Sequence, residues 1–308
     1  MSAEVLHVLA PDMLELFARK GVEGGTTYPQ IGNANGVKVR RITQLLVDLT
    51  ARPVEELSVL DLACGEGVYA IEAALRGAKV LAVDGRSERM SRGAGIAERL
   101  GLANLTFEQN DVRKISVESH GEFDIVLFLG ILYHLDVPEV FQVVKHLHGL
   151  CRDWLLIDTH ITHQPQDRTS YKGRVYAGMK AREHADDDSE TDRRARVMSS
   201  LDNTFAFHFD RPSLIRLLVD TGFTTIVECG APLEPGKPAN RITLAVKKGR
   251  PVVVSTYPWV NGKTEDQIER LLDAEQPFPH TSPGQPTGLK GLVSRALRRF
   301  GFEIRRLT

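Results

Sequence analysis

The stretch from Ser58 to Arg86 constrains this chain more than any other. It reads Ser-Val-Leu-Asp-Leu-Ala-Cys-Gly-Glu-Gly-Val-Tyr-Ala, then, nine residues further on, Val-Leu-Ala-Val-Asp-Gly-Arg. The apolar run Ser58 to Leu62 predicts a buried parallel strand. Gly65 and Gly67 predict a tight turn, Tyr69 to Leu75 a helix, and Val80 to Val83 a second strand ending on Asp84. Glycines let the backbone pass close to a ligand and take torsions that a side chain forbids. The helix after such a turn points its unpaired N–H groups at that ligand. An acid at the end of the second strand can accept bonds from two ribose hydroxyls.

Two ligands suit that arrangement. Gly65-Glu66-Gly67-Val68-Tyr69-Ala70 satisfies the dinucleotide fingerprint Gly-x-Gly-x-x-Gly/Ala. Asp61, four residues before Gly65, completes instead the loop Asp-x-x-x-Gly-x-Gly that binds S-adenosylmethionine (SAM). A pyrophosphate has no use for an acid beneath the glycines, whereas the ammonium of a methionine moiety does. With Asp61 before the loop and Asp84 after it, SAM is the expected cofactor.

Bulk properties exclude other classes. The 308 residues are 42% hydrophobic and 26% charged, ordinary globular composition with ample length for a large core. A formal net charge of -1 gives no reason to expect a nucleic-acid partner. Cys64, Cys151 and Cys229 are few, odd in number and far apart, which implies neither a disulfide framework nor a zinc cluster and suits a reducing cytoplasm. Met1 to Pro11 lacks the pattern of a secretory signal, and no uncharged apolar run approaches the ~20 residues of a membrane span.

Strands and helices alternate from Ser58 onward. Ser87 to Leu100 is an expected helix capped by Ser87, Leu105 to Phe107 a strand, Phe123 to Leu129 a strand, Pro138 to Leu150 a helix, and Trp154 to Ile157 a strand. Pro212 to Thr221 is a further helix, and Phe223 to Cys229 with Arg241 to Val246 a closing pair of strands. This alternation predicts an α/β, doubly wound, Rossmann-like parallel sheet. Three regions are expected: 1–50 with N-terminal helices and a lid, 51–248 with the SAM-binding domain, and 249–308 with a C-terminal extension. Val37 to Leu49 places Ile42, Leu45, Leu46 and Leu49 on a sheet-packing face. The loop Gly21 to Gly36 carries Tyr28 and reads either as a connector or as a lid. Gln164 to Thr204 is a polar insert in which Asp186 to Asp188 are expected to stay in solvent. The tail, Leu289 to Leu307, is basic and amphipathic; it reads as a terminal helix or as a peripheral membrane contact.

On these motifs the chain, from about Ser58 to Val246, resembles the class I SAM-dependent methyltransferases. The resemblance implies a seven-stranded sheet, mostly parallel with one antiparallel strand and helices on both faces. It also implies that Asp111 bonds the adenine amino group, with Val112 alongside through its backbone, and that Leu129-Gly130 forms a platform after strand four. Phe128-Leu-Gly-Ile-Leu-Tyr-His-Leu is similar to the bacterial tRNA wobble-uridine carboxymethyl transferases. In those enzymes a Tyr at the place of Tyr133 and an Arg near that of Arg241 contact the extra carboxylate of carboxy-SAM. Ordinary SAM is the cofactor expected here, with Arg241 either structural or turned to substrate. Tyr171-Lys-Gly-Arg174-Val-Tyr176 and Ser200-Leu-Asp-Asn203…Phe209 resemble methyltransferases associated with polysaccharide and natural-product biosynthesis.

The expected reaction is methyl transfer to a small or glycan-linked acceptor, at oxygen. The alternatives are tRNA (carboxy)methylation and a catalytically silent SAM-binding regulator. A hydroxyl acceptor needs a base at the carboxyl ends of the strands. His160, after strand five, is the first candidate, followed by His134 and His208. Asp158, His160 and His163 read as a hydrogen-bonding group rather than a metal site, since magnesium prefers oxygen ligands. Tyr28, Tyr171, Arg174, Tyr176, Asn203 and Arg241 are the candidate substrate contacts. Oligomeric state is open.

Overall fold

A computed structural model of the chain describes residues 34–50, 52–229 and 240–249. Tyr28 with its loop and the extension after residue 249 lie outside these residues.

Seven strands form the central sheet. They are β1 (Ser58–Leu62), β2 (Lys79–Asp84), β3 (Leu105–Gln109), β4 (Phe123–Leu129), β5 (Cys151–His160), β9 (Phe223–Glu228) and β10 (Arg241–Lys248). Their order is β3-β2-β1-β4-β5-β10-β9, and β10 runs antiparallel to both neighbours. The intervening helices are α1 (Ala34–Leu49), α2 (Val68–Leu75), α3 (Ser87–Arg99), α4 (Val117–His120), α5 (Glu139–Leu150) and α7 (Arg211–Thr221). Strand order reverses between β1 and β4, so the carboxyl ends of β1, β2, β4 and β5 share one edge around a crevice suited to a ligand.

The near-continuous apolar strands follow from burial on both faces. Val59, Ile125, Leu127, Trp154 and Leu156 face α1, α2 and α3, packing with Ile42, Leu46, Ile71 and Ile96. Leu60, Val126, Phe128, Leu155 and Ile157 face α5 and α7, packing with Phe141, Val144, Leu214 and Leu218. The strand and helix expectations hold, with differences at the ends. β5 extends from Cys151 to His160, and α3 takes Arg86 rather than Ser87 as its N-cap, with no side-chain cap bond.

The insert is more regular than its polarity suggests. It forms a second antiparallel sheet, β6-β7-β8, from Asp167–Tyr171, Arg174–Arg182 and Phe205–Phe209, with a short helix α6 at Glu190–Ala195. Period-two alternation explains it: Phe207 and Phe209 join Tyr176 in the α5/α7 core, while His208 takes the opposite face beside Met179. Asp188 departs from the solvent-exposed expectation. Its side chain is 12% exposed and ion-paired to Arg196, whereas Asp186 is 77% exposed.

Candidate functional site

The Gly loop joins β1 to α2. Gly67 caps α2 in the left-handed region at φ 75°, and Gly65 takes φ 60°. Gly65 N–H donates to Asp84 Oδ2 at 2.8 Å, and Arg86 N–H donates to Asp84 Oδ1 at 2.8 Å. The acid ending β2 is thus fixed beneath the loop and buried. Asp61 is buried beside it, and its Oδ2 has no hydrogen-bond partner. Burial pushes the Asp61 carboxyl up to about 8; the Ala70 N–H works against this and the charge of Asp84 adds to it.

After β3, Asp111 lies in a clamp. Arg113 Nη2 donates to Asp111 Oδ2 at 2.6 Å and also reaches Asp202 Oδ2 at 2.7 Å. Burial raises the Asp111 carboxyl, but the bonds and charge of Arg113 outweigh it and hold the group below the usual range. A cleft of about 590 Å³ lies among Gly85, Asn110, Asp111, Arg194, Leu201 and Asp202, between the ends of β2 and β3 and the second half of the insert.

A second cluster gathers where β4, β5 and β10 meet. Gly130 turns the chain out of β4 at φ 82°, and Tyr133 follows on a single 3-10 turn. The Tyr133 ring lies 4.2 Å from His134, 4.5 Å from His160 and 5.9 Å from His208, centroid to centroid. Three histidines from a turn, a strand and the insert therefore converge on one ring.

The three differ in electrostatics. His160 Nε2 accepts from Arg241 Nη1 at 3.2 Å. Burial first, then the charges of Arg241 and His208, pull His160 down to about 4. Burial also lowers His208. His134 Nδ1 lies 2.9 Å from Glu183 Oε1, and Glu183 Oε2 accepts from Ser200 N–H at 2.8 Å. Burial raises Glu183, but the His134 hydrogen bond and charge outweigh it, so the carboxylate stays ionised at neutral pH.

Asp158 anchors the other side. Lys38 Nζ donates to Asp158 Oδ1 at 2.7 Å, Arg241 Nε to the same oxygen at 2.5 Å, and Thr243 Oγ1 to Oδ2 at 2.8 Å. With its oxygens so engaged, Asp158 serves as an ion-pair centre. No group of three or more metal-ligating side chains occurs among the described residues.

Part of the chain is similar to known proteins. A family model described as a methyltransferase domain matches residues 59–153. The ubiquinone biosynthesis O-methyltransferase of Acinetobacter baumannii (strain AYE) is 30% identical over 106 residues, 34% of this chain and 44% of that protein. The O-antigen chain terminator bifunctional methyltransferase/kinase WbdD of Escherichia coli is 26% identical over 110 residues, 35% of this chain and 14% of that protein. The chain thus spans less than half the length of either relative. Among solved structures, the N-terminal domain of EvdMO1, crystallised in the presence of SAH and D-fucose, has a TM-score of 0.55 at 21% identity, covering 70% of this chain and 84% of that one.

Residues 59–153 carry a methyltransferase domain.

The cofactor of that domain type fits the residues present. The orphaned buried oxygen of Asp61 suits the methionine ammonium, and the fixed carboxylate of Asp84 suits the ribose hydroxyls. A Cβ on Gly65 would stand 2.7 Å from Arg89 Nη2, and its φ of 60° also favours glycine. Val112 and Leu129 are buried near the ends of β3 and β4. An adenine amino group at Asp111 would share that carboxylate with Arg113.

The fold brings Tyr133, His134, His160, His208, Asn203 and Arg241 to one edge; Asn203 Nδ2 donates to the His134 carbonyl at 3.0 Å. It does not bring Tyr171, Arg174 and Tyr176 there. Tyr171 stacks on Phe141 of α5 at 4.3 Å, and Tyr176 is buried with its hydroxyl donating to Asp220 of α7 at 3.0 Å. Arg174 is 65% exposed beside Asp220. These three residues attach the insert to the helical layer, because alternation along β7 turns Tyr176 into the α5/α7 core. Sequence reasoning missed Glu183, Lys38, Arg86 and Arg113. Glu183 is 49 residues from His134 and sits in a charged run, so no local signal marks it.

Proposed function

We propose that the chain is an O-methyltransferase that uses His134, oriented by Glu183, as the base for a hydroxyl acceptor. The observation that carries this reading is the 2.9 Å contact between His134 Nδ1 and Glu183 Oε1 beside Tyr133. An ionised carboxylate at Nδ1 holds the imidazole as the Nδ1–H tautomer. Nε2 is then the acceptor nitrogen. His160 ranks below His134 because its Nε2 lone pair already accepts from Arg241 and its affinity for a proton is low. When bound, SAM supplies an electrophilic methyl carbon, and the protein's part is placement and proton removal. His134 takes the hydroxyl proton as the oxygen gains the methyl group. Glu183 stabilises the imidazolium that results, and Tyr133 with the ring of His160 walls the site from water.

The acceptor class is a small hydroxylated molecule or a glycan-linked hydroxyl. Similarity to the ubiquinone biosynthesis O-methyltransferase supports oxygen as the target atom, and similarity to the O-antigen chain terminator methyltransferase/kinase supports a glycan-linked acceptor. Incubation with SAM and panels of free sugars, nucleotide sugars and phenols, with SAH release as the readout, tests this. His134→Gln should lower kcat about 10²–10⁴-fold while leaving SAH affinity within a few-fold. Full turnover by that variant on an accepted substrate would remove His134 from the mechanism.

A further inference from the structure

We propose that residues 194–203 form a strap that couples occupancy of the cofactor site to the acceptor base, with Arg86 as the positioning residue that carries the coupling. The proposal rests on the His134–Glu183 reading above for its functional consequence, but not for its structural one.

One continuous set of hydrogen bonds links the two sites. Asp84 Oδ1 accepts from Arg86 N–H at 2.8 Å. The Arg86 guanidinium then reaches four carbonyl oxygens of the strap: Nε donates to Arg194 at 3.3 Å, and the two N–H groups of Nη2 are shared among Arg196 at 3.1 Å, Ser199 at 3.0 Å and Ser200 at 3.1 Å. A planar fork with five donors can gather several carbonyls in this way, and an ammonium cannot. From the far side of the same strap, Ser200 N–H donates to Glu183 Oε2 at 2.8 Å, and Asn203 donates to the His134 carbonyl at 3.0 Å. Glu183 Oε1 completes the path to His134 Nδ1.

The strap also lies directly over the cofactor positions. A Cβ built on Gly85, next to Asp84, would stand 2.4 Å from Leu201 Cδ1. Asp202 holds the Arg113 guanidinium that clamps Asp111. Yet the strap itself buries little. Helix α6, whose last two residues begin it, has no buried residue; Val197 is 43% exposed, Met198 is 66% exposed, and within the strap only Ser200 is buried. A segment held mainly by polar contacts opens at low free energy, so it has two accessible arrangements that ligands can bias. A cofactor that fixes Asp84 and fills the space under Leu201 favours the closed arrangement. The closed arrangement holds Ser200 N–H on Glu183, and so sets the base. Cofactor is therefore expected to bind before acceptor.

Hydrogen exchange at amides 194–203, with SAH as the probe, tests the coupling. In the native protein, saturating SAH should slow exchange of the Ser200 amide at least tenfold. In Arg86→Ala, SAH at saturation should leave strap exchange near its ligand-free rate, and kcat should fall tenfold or more while the KM for acceptor changes only a few-fold. Arg86→Lys should recover little, because the fork is lost. Unchanged strap exchange on SAH addition to the native protein overturns the proposal, even if the variants do not fold. So does full strap protection in Arg86→Ala. The base reading fails separately: His134→Gln with native kcat would refute it and leave the exchange result standing.

Discussion

Lys38 and Asp158 meet at 2.7 Å across 120 residues of sequence, joining α1 to the end of β5. Arg241 closes on the same carboxylate, whose side chain is 3% exposed. Asp158 thus holds two cations beside Tyr133, and the site edge depends on it. Burial works against ionisation of Asp158, but Lys38 and Arg241 hold its carboxyl below the ordinary range. The stability it contributes is present above the unfolded value of about 3.9 and is lost as pH falls through the lower folded value. Asp158→Asn should destabilise the fold by about 3 kcal/mol at pH 7, because both cations lose their partner. Lys38→Met should cost about 1 kcal/mol, since Arg241 still satisfies the acid. Denaturant titration of the two variants measures the difference, and equal losses would argue against a shared ion-pair centre.

Asp61 makes cofactor binding proton-linked. With the carboxyl near 8 in the free protein, the group carries a proton at pH 7. An ammonium placed against it favours the ionised form, so SAM or SAH binding should release a proton near neutral pH. Calorimetry in two buffers of different ionisation enthalpy reads this directly, and a buffer-independent heat would contradict it. A carboxylate raised on folding costs stability as pH climbs from about 3.9 to the folded value. Asp61→Asn should therefore stabilise the free protein by ~1–2 kcal/mol at pH 8 while weakening SAH roughly 10–100-fold.

Glu183 acts through His134, so its loss should appear in kcat and not in cofactor affinity. Glu183→Gln keeps an acceptor oxygen but removes the charge that favours the imidazolium. A fall in kcat of roughly 10–100-fold, with acceptor KM within a few-fold, is expected. Glu183→Ala should fall further, because the Ser200 N–H also loses its partner. Steady-state kinetics that put the whole effect in KM would assign Glu183 to acceptor binding instead.

The β6–β7 hairpin separates attachment from catalysis. Tyr176→Phe removes the bond to Asp220 and should cost about 1 kcal/mol of stability with kcat unchanged. Arg174→Ala, at a 65% exposed position, should stay within about 0.5 kcal/mol of native stability and keep native kcat. Loss of acceptor affinity in Arg174→Ala would return the hairpin to the substrate site.

Residues close in sequence and tied to backbone geometry declared themselves early. Asp61, Gly65, Gly67 and Asp84 lie within one strand–turn–helix–strand unit, where torsion and spacing dictate which atoms meet. The central strands were legible for a similar reason: a strand buried on both faces must be largely apolar, as Ile125 to Leu129 is. The insert was not, because its strands bury one face only and their polar halves read as loop; Tyr176 and Phe207 reach the core, while Arg168 and Ser170 on the outer face of β6 are exposed.

What only the tertiary structure decided is which distant polar groups pair. Sequence ranked His160 ahead of His134 and His208 as the candidate base. Packing gave His134 a carboxylate from Glu183, gave His160 a guanidinium from Arg241, and left His208 half-buried on the face of β8 beside Tyr133. A hydrogen bond over 49 residues leaves no periodicity, since its partners are set by the crossing of a strand end and an insert. Arg86 is the same case at closer range: its place after Asp84 was visible in sequence, but its four carbonyl partners, 108 to 114 residues away, exist only once the insert lies across the sheet edge.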